Sequence, residues 1–160
     1  MRDMPGEPLL LSIATIAVVI AGFTAVTSTL VPAGGSWHPA MRIRQRAIVS
    51  TSINVMFEAL APSIAFALLG DARAAIVIAS LGVAIYTTVV VVVRGRQFIR
   101  AGMNRTRSAV ALFALGPTAA LLFWANALVF ASLAVYALAL CIQLSVAVIS
   151  FYTLVSAAQD

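Results

Sequence analysis

The uncharged run SAVALFALGPTAALLFWANALVFASLAVYALALCIQLSVAVISFYTLVSAAQ, Ser108 to Gln159, decides the fold. At about 1.5 Å per residue, a helix of this length is roughly twice as long as a bilayer's hydrocarbon is thick. The chain therefore has to cross twice within it, and no charge marks the turn. Gly116-Pro117 is the obvious punctuation, but a break there leaves only Ser108 to Leu115 before it, too short to cross. The pair is read instead as a kink inside a fourth span, as such kinks are tolerated in membranes. The turn is then expected at Trp124-Ala125-Asn126, with Trp124 at the interface. The alternative is a four-span chain whose last segment is re-entrant or lies on the surface.

Composition agrees with a membrane class. The 160 residues are 62% hydrophobic and 9% charged, against roughly 25% charged in soluble domains. Mean hydropathy is +1.07. The expectation is an all-α membrane protein, a single integral domain over residues 1–160. It is a bundle of about five transmembrane helices at residues 9–31, 47–69, 74–93, 108–125 and 128–156. Residues Met1 to Pro8 read as a polar leader. The following apolar run exceeds the roughly 7–15 residues of a signal-peptide core, so a retained helix is favoured over a cleaved one. Ala17, Ala21, Ala25 and Thr29, with Gly22 beside them, form a small-residue ridge at four-residue spacing. Such a ridge lets helices approach closely in lipid, although an Ala-rich helix also contains it by chance.

The connections carry their own signals. Pro32 to Pro39 is dense in helix breakers and includes Trp37, a candidate interfacial anchor, and His38. Gly70 suits the residue after a helix, and Asp71 suits the cap of the next, so spans two and three should form an antiparallel hairpin. Arg94 to Arg107 reads as the longest polar connection, made amphipathic by Phe98 and Ile99.

The net charge of +5 comes from ten basic residues, all Arg, against five acidic ones. The arginines are spread over short connections with few aromatics between them, which argues against nucleic acid and for a topological use. Arg42, Arg44 and Arg46 precede the second span, and Arg94, Arg96, Arg100, Arg105 and Arg107 follow the third. By the positive-inside rule both collars face the cytoplasm, which puts the N-terminus outside and, with five spans, the C-terminus inside. The expected location is a plasma membrane or bacterial inner membrane. The absence of Lys among many Ala, Val and Arg suits a GC-rich bacterial source. These basic loops would face lipid or a protein partner.

One charge breaks the pattern. Ser50-Thr51-Ser52-Ile53-Asn54-Val55-Met56-Phe57-Glu58-Ala59-Leu60-Ala61-Pro62 lies within the second span and carries the carboxylate Glu58. Ser50, Asn54, Glu58 and Pro62 follow one another at four-residue spacing and are expected to share a face. Glu58 lies about 16 Å into its span, near the midplane. An ionised side chain there costs at least about 2.5–3.5 kcal/mol. It is therefore neutral, wet, or held by hydrogen bonds, with Asn54 the nearest donor on its own helix. Pro62 removes the backbone donor that would serve the Glu58 carbonyl, which marks a cation or water site or a packing kink. Tyr136, Gln143 and Ser150 recur every seven residues in the last span, and Gln143 is placed to bond across to the second span.

No enzyme constellation is present, and no cofactor or metal is called for. His38 is the single histidine, Cys141 is the single cysteine and is expected in packing, and no Lys exists to form a Schiff base. Two functions stay open. One is a small oligomeric channel or transporter whose path is lined by Glu58, Asn54 and Gln143. The other is a non-catalytic membrane subunit or scaffold that binds another membrane protein or anionic lipid.

Overall fold

A computed structural model of the chain describes residues 4–29, 39–100, 102 and 107–156. It consists of helices α1 Glu7–Thr29, α2 Pro39–Leu69, α3 Ala72–Arg100, α4 Arg107–Ala125 and α5 Leu133–Ser156, with a π turn at Asn126–Phe130 between the last two. Among the described residues five helices are long and apolar enough to cross a membrane. The expected all-α bundle of five spans is therefore the observed architecture. Residues 30–38, with Trp37 and His38, lie outside the described residues.

The bundle is apolar on its outside. Leu9, Ile16, Phe23, Phe57, Leu68, Val89, Leu121 and Leu128 are all exposed, a surface that suits lipid and would be unstable in water. Inside, α2 packs against α1, α3 and α5, while α5 packs against α1, α2 and α4. Buried alanines at these contacts (Ala17, Ala59, Ala79, Ala84, Ala137, Ala139) allow close backbone approach. Phe123 of α4 and Tyr136 of α5 meet edge-to-face at 5.2 Å in the same core.

Local chemistry explains the α2–α3 hairpin as the sequence suggested. Gly70 takes φ +70° and donates its N–H to the Phe66 carbonyl at 2.8 Å, a left-handed conformation that glycine adopts without steric cost. The Asp71 carboxylate accepts from the N–H groups of Arg73 and Ala74 at 2.7 and 3.2 Å, capping α3.

Other expectations are corrected. The third helix does not stop at Val93 but runs to Arg100, so half of the expected polar connection is helix. It stays packed because Gly95 is buried and its missing Cβ leaves room for the Phe113 ring of α4, which would stand 3.1 Å from that atom. Phe98 is buried rather than lying on a membrane surface. The fourth helix passes through Gly116-Pro117 without ending, as expected. Its turn comes later than Trp124-Ala125-Asn126, at Ala131-Ser132, and the fifth helix starts at Leu133 rather than near residue 128. Trp124 is half-buried and donates to Thr88 Oγ1 of α3 at 3.2 Å. In α1 the buried face is Leu10, Ile13, Ala14, Ala17 and Thr24, while Gly22 and Ala25 are exposed. Of the alanine ridge, Ala17 is buried, Ala21 is half-buried and Ala25 is exposed, while the Thr29 side chain lies outside the described residues. Cys141 is exposed rather than packed.

The two ends of the bundle differ. Arg46 and Ser50 from the start of α2 line one cleft with Arg94, Gln97 and Arg100 from the end of α3. The antiparallel hairpin thus gathers basic residues of both collars at a single end, as full crossings require.

Candidate functional site

Three helices carry polar side chains into one apolar bundle. On α2 the buried positions are Ile48, Thr51, Ser52, Val55, Glu58, Ala59 and Pro62. This face advances three to four residues at a time. A strict four-residue stripe rotates about 40° per step on a helix of 3.6 residues per turn. Ser50, Asn54, Glu58 and Pro62 consequently do not share one environment. Glu58 and Pro62 are buried, while Ser50 and Asn54 are half-buried on the side facing α3. On α5, Tyr136, Gln143 and Ser150 are all buried, so the seven-residue repeat is the inward face.

Glu58 is 5% exposed. Gln143 Nε2 donates to Glu58 Oε1 at 3.4 Å and lies 3.4 Å from Thr87 Oγ1 of α3. Both contacts are long for N–H···O bonds. Among the described residues the second carboxylate oxygen, Glu58 Oε2, has no hydrogen-bond partner, and neither does Gln143 Oε1. Ser52 Oγ, also buried, is in the same condition. Asn54, the donor nearest in sequence, forms no hydrogen bond with Glu58 and lines a cleft instead. The partner is Gln143 of α5.

The carbonyl left free by Pro62 is occupied. Tyr136 Oη donates to the Glu58 backbone oxygen at 2.6 Å. This is the bond that the N–H of residue 62 would have made in an uninterrupted helix. The expected cation or water site at that carbonyl is thus replaced by a tyrosine hydroxyl, and Tyr136 ties α5 to α2 one turn before the kink residue.

A cleft of about 360 Å³ leads to the carboxylate between α2 and α3. Asn54, Phe57, Glu58, Ala61, Gly82, Val83 and Tyr86 line it. Phe57 and Tyr86 are exposed and Glu58 is buried, so the cleft runs inward from the lipid-facing surface. The space beside Gly82 is open, and a Cβ there would meet nothing within 4 Å.

Arg94 is the residue whose place the sequence reading missed. It sits on α3 rather than in a loop, and its guanidinium donates to Thr51 Oγ1 and, at 2.6 Å, to Ser50 Oγ. Ser80, Thr87 and Arg94 are seven apart and form a polar line on α3 that faces neighbouring helices. That spacing is the same signal as Tyr136, Gln143 and Ser150, but serine and threonine do not stand out in a membrane helix. Arg96 and Arg100 are exposed, as is Arg46. The side chains of Arg42, Arg44, Arg105 and Arg107 lie outside the described residues.

Among the described residues no three His, Cys, Asp or Glu side chains gather as a metal site. What the arrangement offers is a buried carboxylate that lines a lateral cleft and, beside it, a buried amide oxygen, both acceptors and both short of a donor among the described residues. No protein family matches the chain, and no curated protein or solved structure does either.

Proposed function

We propose that this multi-pass membrane protein is a small transporter that exchanges a cation, in the simplest case a proton, at Glu58. The observation that carries the reading is a pair of buried acceptors without a donor among the described residues, Glu58 Oε2 and Gln143 Oε1, with Glu58 itself lining a lateral cleft. A buried acceptor without a donor costs about 1–3 kcal/mol, and more for a charged group. A proton or small cation at Glu58 removes that cost, and its departure restores it. A group poised between two such states is what carrier chemistry needs. Gln143 and Thr87 orient the carboxylate, and Tyr136 fixes the backbone from which it projects. The cleft is lined by α2 and α3, and Gln143 of α5 holds the carboxylate from behind, so Glu58 is enclosed within one chain.

Protein reconstituted into liposomes with an internal pH-sensitive dye tests this. The wild type is expected to dissipate an imposed pH gradient or to couple it to a second ion. Glu58→Gln, which keeps the side chain's shape, is expected to lower the flux at least about tenfold, equivalent to about 1.4 kcal/mol. Gly82→Leu fills open space and is expected to slow flux severalfold by plugging the cleft. Flux through Glu58→Gln equal to wild type would remove the carboxylate from the mechanism. A wild type that moves neither protons nor cations would leave the non-transporting subunit or scaffold as the standing alternative.

A further inference from the structure

The second polar concavity lies at the basic end of the bundle. It is a cleft of about 550 Å³ between the start of α2 and the end of α3, lined by Arg46, Ala47, Ser50, Arg94, Gln97, Phe98 and Arg100. Three guanidinium groups face it, and no carboxylate is among the lining residues. Their arrangement is built rather than incidental. Arg94 is braced from below by Thr51 and Ser50, and Ser50 in turn donates to the Arg46 carbonyl at 2.7 Å. A guanidinium has five N–H donors, so the two bracing bonds leave donors over. Gln97 adds an amide one turn further along α3.

Depth identifies the occupant. Arg46 immediately precedes the apolar part of α2, and Arg94 immediately follows the valine run Val89 to Val93 of α3. In a bilayer that covers these apolar runs, both arginines stand at the level of lipid phosphates rather than out in solvent. Phe98, buried beside them, supplies an apolar wall for the glycerol and upper acyl region. Arginine matches phosphate oxygens with paired N–H donors, which ammonium groups do not.

We propose that this cleft is a binding site for the headgroup of an anionic membrane lipid, with Arg46 and Arg100 contacting the phosphate and Arg94 positioned behind them as the braced third donor. The cleft shares no lining residue with the one at Glu58. It stands or falls without the transport reading, because its test measures lipid binding and not flux.

The test is the thermal unfolding midpoint of the purified protein in a neutral detergent, titrated with phosphatidylglycerol, phosphatidylcholine or inorganic phosphate. Phosphatidylglycerol is expected to raise the midpoint saturably, and more than either of the others. The double variant Arg46→Ala with Arg100→Ala is expected to weaken that apparent affinity at least about tenfold. Both residues are exposed, so the fold should survive, and the readout is the increment due to lipid rather than the starting midpoint. Arg73→Ala, an exposed arginine at the other end of the chain's α2–α3 hairpin, should leave the affinity unchanged. Three results would each overturn the proposal: equal stabilisation by phosphatidylcholine, an equal effect of inorganic phosphate at matched concentration, or an equal loss in Arg73→Ala.

Discussion

Two buried amides, Asn126 and Gln143, sit in the same bundle and are treated in opposite ways. Asn126 is fully buried, and its bonds are short. Its Nδ2 donates to Ser80 Oγ at 2.8 Å, and its Oδ1 accepts from the Ser132 N–H at 2.8 Å. Its backbone carbonyl accepts from Ala131 N–H at 2.8 Å, closing the π turn. Gln143 makes two contacts of 3.4 Å, and its oxygen has no donor. The first is what a structural polar group looks like inside lipid, with each functional atom matched. The second leaves its own oxygen open, beside a carboxylate whose Oε2 is open as well. The difference separates glue from a site awaiting a partner.

The widest gap between the two is expected on removing Asn126. Asn126→Ala strands Ser80 Oγ and the Ser132 N–H together and loosens a turn already held by Ala131 at φ 47°, a left-handed conformation that costs a non-glycine residue about 1 kcal/mol. A loss of about 2 kcal/mol is expected in denaturant titrations of the micelle-bound protein. A change below about 0.5 kcal/mol would show that the Asn126 cluster is not the structural standard assumed for it. Next in size is Tyr136→Phe. It leaves the Glu58 carbonyl with neither its helical donor nor its tyrosine, and about 1 kcal/mol is expected from the same titration.

Glu58→Gln sharpens the contrast from the other side. Both orphaned atoms are acceptors, and the amide this substitution introduces brings donors to the place that lacks them. Stability is therefore expected to hold, or to rise by up to about 1 kcal/mol, while flux falls. A substitution that removes a charge, preserves the fold and abolishes transport is hard to explain by structural glue. A loss of stability as large as that of Asn126→Ala would instead make Glu58 a structural member of the bundle.

How far the sequence could be read follows from where its signals were strong. The span count rested on length and absence of charge, which act over whole segments and survive local detail. The Gly70-Asp71 hairpin was legible because each residue type solves one local problem, a left-handed φ and an uncapped helix start. The last turn was not legible, because Asn126–Phe130 is mostly apolar and Ala131 takes the glycine-like conformation without being glycine. The extension of α3 to Arg100 was hidden by its charges, which read as a polar, amphipathic connection, whereas Gly95 and Phe98 are buried and Gly95 packs against Phe113 of α4. At the site, Glu58 and Gln143 were identifiable from charge and spacing. Asn54 was mis-paired because a four-residue stripe drifts around the helix. The fate of the Glu58 carbonyl depended on Tyr136, which is distant in sequence, and no local pattern reports such a contact.

That last contact gives the smallest but most specific expectation. Pro62 removes the N–H that would bond the Glu58 carbonyl, and Tyr136 supplies a hydroxyl in its place. If the tyrosine is there because of the proline, the two substitutions should not be additive. Pro62→Ala restores an N–H able to reach that carbonyl, so Tyr136→Phe should cost less in the Pro62→Ala background than in the wild type. A coupling of about 0.5 kcal/mol is expected from the four-variant cycle, near the average for hydrogen bonds between membrane helices. Strict additivity would mean that the carbonyl is served by something other than Tyr136 in the working protein. A water or cation would then be the natural substitute, and the lateral cleft would extend past the Glu58 side chain to the backbone itself. Coupling would instead confine the open acceptors to Glu58 Oε2 and Gln143 Oε1, leaving the carboxylate alone to bind and release.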